Sequence, residues 1–109
     1  MRGRPKELHG EHETFTFQVT DDGWKRVKSN AARLELRPPE LIRRTLAAIV
    51  ERDAFASFTP MIDRNVECKK LVSVQLPAAL PPKIRKAAIK LQVPMGRLLD
   101  AVFRKLPQR

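Results

Sequence analysis

The sequence predicts a mostly α-helical fold with one two-stranded antiparallel ribbon, in which the same strand–helix–helix unit occurs twice. Sliding the chain by 57 residues aligns FTFQV at 15–19 with VSVQL at 72–76, and apolar positions stay in register as far as Ile49 and Leu106. Each unit opens with strict alternation of apolar and polar residues, which is typical of a strand with one buried face. The spacing of apolar residues then becomes helical, so the register indicates two copies of one structural element.

Each predicted strand has an apolar face and an opposite, largely polar face. The apolar residues are Phe15, Phe17, Val19, Val72, Val74 and Leu76. The opposite faces carry Thr14, Thr16, Gln18, Leu71, Ser73 and Gln75. Because a lone short strand has no ladder partner, we expect the two strands to pair antiparallel, with four amphipathic helices covering their apolar face.

Helical signals follow each strand. The apolar stripe of the first helix consists of Trp24, Val27, Ala31 and Leu34. Thr20 suits the N-terminus of this helix, and Pro81–Pro82 in the second copy suit only a first turn, where a missing N–H has no intrahelical acceptor. A second helix is predicted after Pro38–Pro39 and again after Pro94, and residues 57–69 are predicted to be a connector. Trp24 is interpreted as a core-edge residue rather than a base-stacking platform.

Charge is the dominant feature of the composition. The 109 residues hold 22 basic and 12 acidic side chains, a net charge of +10, which favours a polyanionic partner. Residues 1–57 hold 11 basic and 9 acidic side chains, whereas residues 58–109 hold 11 and 3, so the second half carries most of the excess. With 42% hydrophobic residues, the chain has enough apolar surface for a packed core.

Several function classes are disfavoured. With Cys68 as the one cysteine, no intrachain disulfide can form, and His9 and His12 lack further ligands for a metal site, so we expect a cytoplasmic protein without a metal or other cofactor. No apolar run approaches the length of a membrane span. Paired catalytic carboxylates, a phosphate-cradling glycine loop and a catalytic triad are all missing from the sequence, which predicts a non-enzymatic protein.

The duplicated strand–helix–helix pattern resembles the ribbon-helix-helix DNA-binding family, over roughly Glu13 to Leu106. Members of that family normally build the unit from two identical chains. The resemblance implies a tandem ribbon-helix-helix pseudo-dimer in one chain, acting as a monomer, whose ribbon enters the major groove of double-stranded DNA. The implied organisation is a basic arm at 1–12 and a single domain at 13–109, with repeats at 13–56 and 70–107 joined by the connector at 57–69.

The resemblance also implies which residues contact DNA. By position, the base-contacting set is Thr14, Thr16, Gln18, Leu71, Ser73 and Gln75. Gln pairs with adenine, Ser and Thr hydroxyls donate or accept, and Leu71 suits a thymine methyl group. The start of the second helix anchors a phosphate in this family, although Pro38 and Pro39 remove N–H donors there in the first copy.

Basic residues complete the predicted interface. Those expected to contact the DNA backbone or minor groove are Arg2, Arg4, Lys6, Arg37, Arg43, Lys69, Lys70, Gly96 and Arg97. The first three belong to Arg-Gly-Arg-Pro-Lys, which resembles the core of an AT-hook, an extended segment that lies in a narrow minor groove. A further cluster on the first helix of the second copy is either a solvated face or a phosphate contact, and consists of Lys83, Arg85, Lys86 and Lys90.

Single-chain tandem proteins of this kind resemble the accessory proteins of plasmid conjugation and the virulence proteins of Ti-plasmid T-DNA processing. That resemblance implies DNA binding near a transfer origin or border, with a relaxase or other transfer protein as a possible partner. A transcriptional repressor of the same fold is the alternative. A protein-interaction adaptor with a basic surface is an alternative of another class, and a salt-dependent DNA mobility shift discriminates it from both.

Overall fold

The computed structural model describes residues 12–63 and 65–106 of the chain. The elements are β1 (His12–Val19), α1 (Asp21–Arg33), α2 (Pro38–Arg52), a 3₁₀ helix (Phe55–Met61), β2 (Lys70–Pro77), α3 (Leu80–Leu91) and α4 (Met95–Arg104). Within these residues the fold is mostly α-helical with a two-stranded antiparallel sheet, as predicted. The order strand–helix–helix occurs once before the 3₁₀ helix and once after it.

The two strands form a ribbon over eight residues each. The strands are antiparallel, and Thr16 lies opposite Ser73 near the centre of the ribbon. The pairs His12–Pro77 and Val19–Lys70 form its two ends. The predicted apolar face is confirmed, since each of its six residues is buried against the helices. Alternation along a strand then places every other side chain on the opposite surface.

The helices begin close to where the sequence predicts. Thr20 caps α1, because its hydroxyl accepts a hydrogen bond from the Gly23 N–H at 3.0 Å. Pro38 is the first residue of α2, and α3 likewise carries a proline in its first turn. Pro94 precedes α4 with an extended backbone, which turns the chain into the last helix.

Three helix ends depend on positive φ angles at residues other than glycine. These residues are Glu35 (φ 59°), Asp53 (φ 51°) and Gln92 (φ 58°). The N–H groups of Asp53 and Gln92 donate to carbonyls of the preceding last turn, which satisfies acceptors that the helix leaves open. Left-handed backbone costs a non-glycine residue about 1 to 2 kcal/mol, and these hydrogen bonds help to offset it.

Packing crosses between the two halves of the chain. Helix α4 lies against β1 and α1, whereas α2 lies against β2. Arg26 of α1 donates from Nη1 to the carbonyl oxygens of Arg104, at 2.6 Å, and Leu106, at 3.2 Å. The ring of Phe103 in α4 lies 5.9 Å from that of Phe17 in β1, measured between centroids. The hydrophobic core is therefore continuous across both halves.

The structure adds one detail to the predicted elements and corrects another. A 3₁₀ helix covers the first residues of the predicted connector at 57–69 and begins at Phe55, which is buried in the core. Leu34 does not extend the apolar stripe of α1, since it lies just past the helix and is 49% exposed. A hydrogen bond of 2.7 Å from the Leu36 N–H to the Ala31 carbonyl stabilises the turn that follows the helix.

Candidate nucleic-acid interface

Six side chains on the ribbon surface opposite the helices form what we call the outer face. They are Thr14, Thr16, Gln18, Leu71, Ser73 and Gln75, and all are exposed. Five of them carry hydrogen-bonding groups, and Leu71 is 61% exposed despite being apolar. The structure therefore brings all six predicted base-contacting residues to one surface, because the pairing register places the outward-facing residues of β1 directly opposite those of β2.

Cross-strand hydrogen bonds order part of the outer face. The Gln75 side chain donates from Nε2 to Thr14 Oγ1 at 2.7 Å, and the hydroxyls of Thr16 and Ser73 share a hydrogen bond of 2.9 Å. At the other end of the ribbon, Gln18 lies opposite Leu71, which has no polar group to offer. At one end of the ribbon the Gln75 amide is thus held by its hydrogen bond to Thr14, whereas at the other end the Gln18 amide lies beside the apolar side chain of Leu71.

The outer face has the shape and the chemistry needed for the major groove of DNA. A two-stranded ribbon fits that groove, which is about 12 Å wide. There, Gln forms two hydrogen bonds to adenine, Ser and Thr hydroxyls serve as donors or acceptors, and an apolar side chain contacts the thymine methyl group. The side chains of the outer face are therefore of the types that can hydrogen-bond to base edges or contact a thymine methyl group.

The first turn of α4 approaches the ribbon closely. A Cβ on Gly96 would lie 2.6 Å from the backbone oxygen of Gln18, so a side chain there would force the helix away from β1. Pro94 precedes the helix without a side-chain cap, and the Leu98 N–H donates to the Pro94 carbonyl at 3.1 Å. The earlier N–H groups of this turn are of the kind that bind anions at helix N-termini.

The start of α2 is built differently. Pro38 and Pro39 have no N–H to offer, and the Glu40 N–H donates to the Arg37 carbonyl at 3.0 Å. The Glu40 carboxylate forms ion pairs with Arg43 and, at 3.0 Å, with Arg44. Backbone donors are therefore scarcer here than at the start of α4, and Glu40 offsets part of the positive charge of Arg43 and Arg44.

Two of the predicted phosphate-contacting arginines are engaged within the chain. Arg43 donates from Nε to the Gln75 carbonyl at 3.1 Å, which joins α2 to β2. Arg97 donates from Nη2 to the Val66 carbonyl at 3.2 Å, which joins α4 to the connector. By contrast, the Arg37 side chain at the start of α2 is exposed.

Lys69 and Lys70 lie exposed beside the end of the outer face that carries Leu71. The Lys70 Nζ is 5.5 Å from the centroid of the Trp24 ring, a cation–π distance. Trp24 itself is partly buried and packs on the core, which confirms its interpretation as a core-edge residue. Lys69 forms an exposed ion pair with Glu67 at 2.9 Å, which salt screens readily.

A second basic surface lies on α3. Lys83, Lys86 and Lys90 line a groove of about 380 Å³ together with Val50 and Phe55. Arg85 points elsewhere, with its guanidinium 5.5 Å from the centroid of the Phe15 ring. The predicted cluster of four cations is thus split between two surfaces.

Sequence reasoning missed Asp100 altogether. Its side chain is 1% exposed in α4, and its Oδ2 accepts a hydrogen bond from Arg104 Nε at 2.8 Å. The available signal was one acidic residue among apolar neighbours, LLDAVF, since a buried carboxylate has to find donors.

Cys68 lies near the Asp100 carboxylate. Burial raises the pKa of its thiol, Asp100 raises it further and Arg97 opposes both, so the thiol stays a poor nucleophile at neutral pH.

Part of the predicted interface lies outside the described residues. Arg2, Arg4 and Lys6 of the basic arm belong to that part, and His9, considered above as a metal ligand, also lies outside the described residues. His12 is the exposed first residue of β1. Among residues 12–63 and 65–106, no group of three or more His, Cys, Asp or Glu side chains is placed to hold a metal ion.

Comparison of the chain with protein-family models, curated proteins and solved structures finds no match. In the part of the chain that the structure describes, no helix is long and apolar enough to cross a membrane.

Proposed function

We propose that this protein binds double-stranded DNA by inserting the ribbon into the major groove, as a ribbon-helix-helix protein with both halves in one chain. The observation that carries the proposal is the outer face: five hydrogen-bonding side chains and Leu71, exposed together on a ribbon whose other face is buried. Ribbons are one of the elements that proteins place in the major groove. The net charge of +10 suits a polyanion.

The affinity and the specificity of binding are expected to come from different residues. Lys69 and Lys70 lie at one end of the ribbon, and each phosphate that such a cation neutralises adds sequence-independent affinity that falls as salt rises. Gln18 and Gln75 lie on the outer face, where amide groups discriminate among bases. Variants at these two kinds of position should therefore differ in their effect on random DNA.

The test begins with selection of preferred duplexes from a random library, followed by anisotropy titrations on a selected and a random duplex. Gln18→Ala or Gln75→Ala should weaken binding to the selected duplex by about 1 to 3 kcal/mol and change binding to the random one little. Lys70→Ala is the matched control, which should weaken both alike and flatten the salt slope by about 0.9. Equal losses on both duplexes for the Gln variants would remove those residues from base recognition.

Absence of salt-dependent DNA binding at low ionic strength would instead support the basic protein adaptor. Within DNA binding, we propose the accessory role in plasmid or T-DNA transfer, on the strength of the single-chain duplication. The purified protein should stimulate nicking of a plasmid carrying a transfer origin by its relaxase. A repressor would instead bind upstream of its own gene and leave nicking unchanged.

A further inference from the structure

The two copies present nearly the same outer face, with one chemical difference. The 57-residue offset places Thr14 on Leu71, Thr16 on Ser73 and Gln18 on Gln75. The glutamine is retained, and the central position is a hydroxyl in both copies. Only Thr14 and Leu71 change from polar to apolar, so the asymmetry of the outer face depends on a single pair of equivalent positions.

The register turns that difference into two unlike ends. Thr14 lies opposite Gln75, whereas Leu71 lies opposite Gln18. The bond of 2.7 Å to Thr14 orients the Gln75 amide, whose oxygen and second N–H remain for a base edge. Beside Gln18, the 61% exposed Leu71 offers apolar surface, and the thymine 5-methyl is the apolar group that the major groove presents.

Other features distinguish the same two ends. Gly96 brings the uncapped first turn of α4 against the backbone of Gln18. At the other end, Arg43 binds the Gln75 carbonyl from α2, a helix that starts with two prolines and pairs Arg43 with Glu40. The apolar side chain of Leu71 and a helix start without a side-chain cap therefore coincide at the Gln18 end.

We infer that the outer face recognises a non-palindromic duplex in a single orientation, with Leu71 against the 5-methyl group of a thymine in one half-site only. This inference rests on the proposed function and specifies its substrate. Thr14 takes the equivalent place in the other half-site, where its Oγ1 accepts a hydrogen bond from the Gln75 amide and its side chain has less apolar surface than Leu71 to place against a methyl group. A dimer of identical chains presents two identical strands and therefore favours a palindromic site. A single chain with two different strands favours a non-palindromic one.

The experiment replaces thymine by deoxyuridine in the selected duplex, one half-site at a time, since this removes the methyl group and leaves the hydrogen-bonding groups in place. Substitution in one half-site should weaken binding about fourfold, the equivalent of one buried methyl group. Substitution in the other half-site is the control and should change the affinity little. Equal effects in both half-sites, or none in either, would overturn the inference.

Two variants test whether Leu71 and Thr14 cause the difference in deoxyuridine sensitivity between the half-sites. Leu71→Thr should abolish the sensitivity to deoxyuridine and shift the selected sequence toward a palindrome, whereas Thr14→Leu should extend the sensitivity to both half-sites. Both positions are exposed, and thermal unfolding checks that each variant stays folded. A palindromic site selected by the unaltered chain would overturn this inference but leave DNA binding intact, whereas failure to bind any duplex would overturn the proposed function itself.

Discussion

The Asp100 carboxylate accepts two hydrogen bonds from Thr20, one from the backbone N–H at 2.8 Å and one from the hydroxyl at 2.7 Å. Thr20 connects β1 to α1, so this carboxylate joins the last helix of the second half to the strand–helix junction of the first. The ion pair with Arg104 occupies its other oxygen. A carboxylate this deeply buried is tolerated because each of its oxygens has donors.

Asp100→Ala should therefore destabilise the fold by about 3 to 5 kcal/mol, since it removes the acceptor of the Arg104 Nε–H and of the Thr20 N–H. Urea denaturation followed by far-UV circular dichroism measures the loss. Asp22→Ala is the matched control, because Asp22 is 57% exposed and its ion pair with Arg26 spans 3.7 Å. That change should cost less than about 1 kcal/mol, and losses of similar size for both variants would contradict the assigned role of Asp100.

Gly96→Ala should also lower stability, although alanine is the better helix former by about 1 kcal/mol. The added Cβ would lie 2.6 Å from the Gln18 carbonyl oxygen, and overpacking of this kind costs about 1 to 3 kcal/mol. The control is the reverse change at an exposed position of α2, Ala47→Gly, which measures the effect of helix propensity alone on the free energy of unfolding. A higher melting temperature for Gly96→Ala would show that α4 can move away from β1 without cost.

Sequence periodicity predicted the local features of the fold because these depend on neighbouring residues. Alternation identified the buried face of Phe15 and Phe17, and the two prolines at 38 and 39 marked the region where α2 begins. Contacts between distant residues leave no such pattern. Thr20 and Asp100 are 80 positions apart, so their hydrogen bonds could not be predicted from spacing.

Helix ends and the connector were harder to predict for a related reason. Asp53 and Gln92 end their helices with positive φ, where the usual sequence signal is glycine. Phe55 was not assigned to the core, because one apolar residue beside a connector has no periodic partner. The composition of the outer face was predictable, but the bond between Gln75 and Thr14 depends on the exact pairing of the strands.

The shared core predicts that neither half folds alone. A chain of residues 1–57 lacks β2 and α4, and thus the ladder partner of β1 and the carboxylate that binds Thr20. Self-association could supply a second strand but not the carboxylate, because the repeat places Arg43 rather than an acid at the position of Asp100. This fragment should be monomeric by sedimentation and largely unfolded by circular dichroism at micromolar concentration. A cooperatively folded fragment, as monomer or homodimer, would contradict a core that needs both halves.

The basic arm is expected to add affinity without adding stability. Deleting residues 1–6 removes Arg2, Arg4 and Lys6 but none of the buried core residues, so the melting temperature should not change. If these cations neutralise phosphates, the slope of log affinity against log salt flattens by about 0.9 for each phosphate that is no longer neutralised. Replacing all three by Gln, with the length kept, should reproduce the deletion if charge is the cause.

Two duplexes that differ only in their flanks separate the possible modes of binding by the arm. Simple phosphate binding would make the deletion weaken both duplexes alike. Insertion of Arg2 or Arg4 into the minor groove should weaken the duplex with A·T-tract flanks more, because a narrow groove concentrates the negative potential that attracts arginine. We expect this larger loss from the Arg-Gly-Arg-Pro sequence. Unchanged affinity and slope on both duplexes would make that resemblance accidental and leave DNA binding to the ribbon and the basic residues beside it.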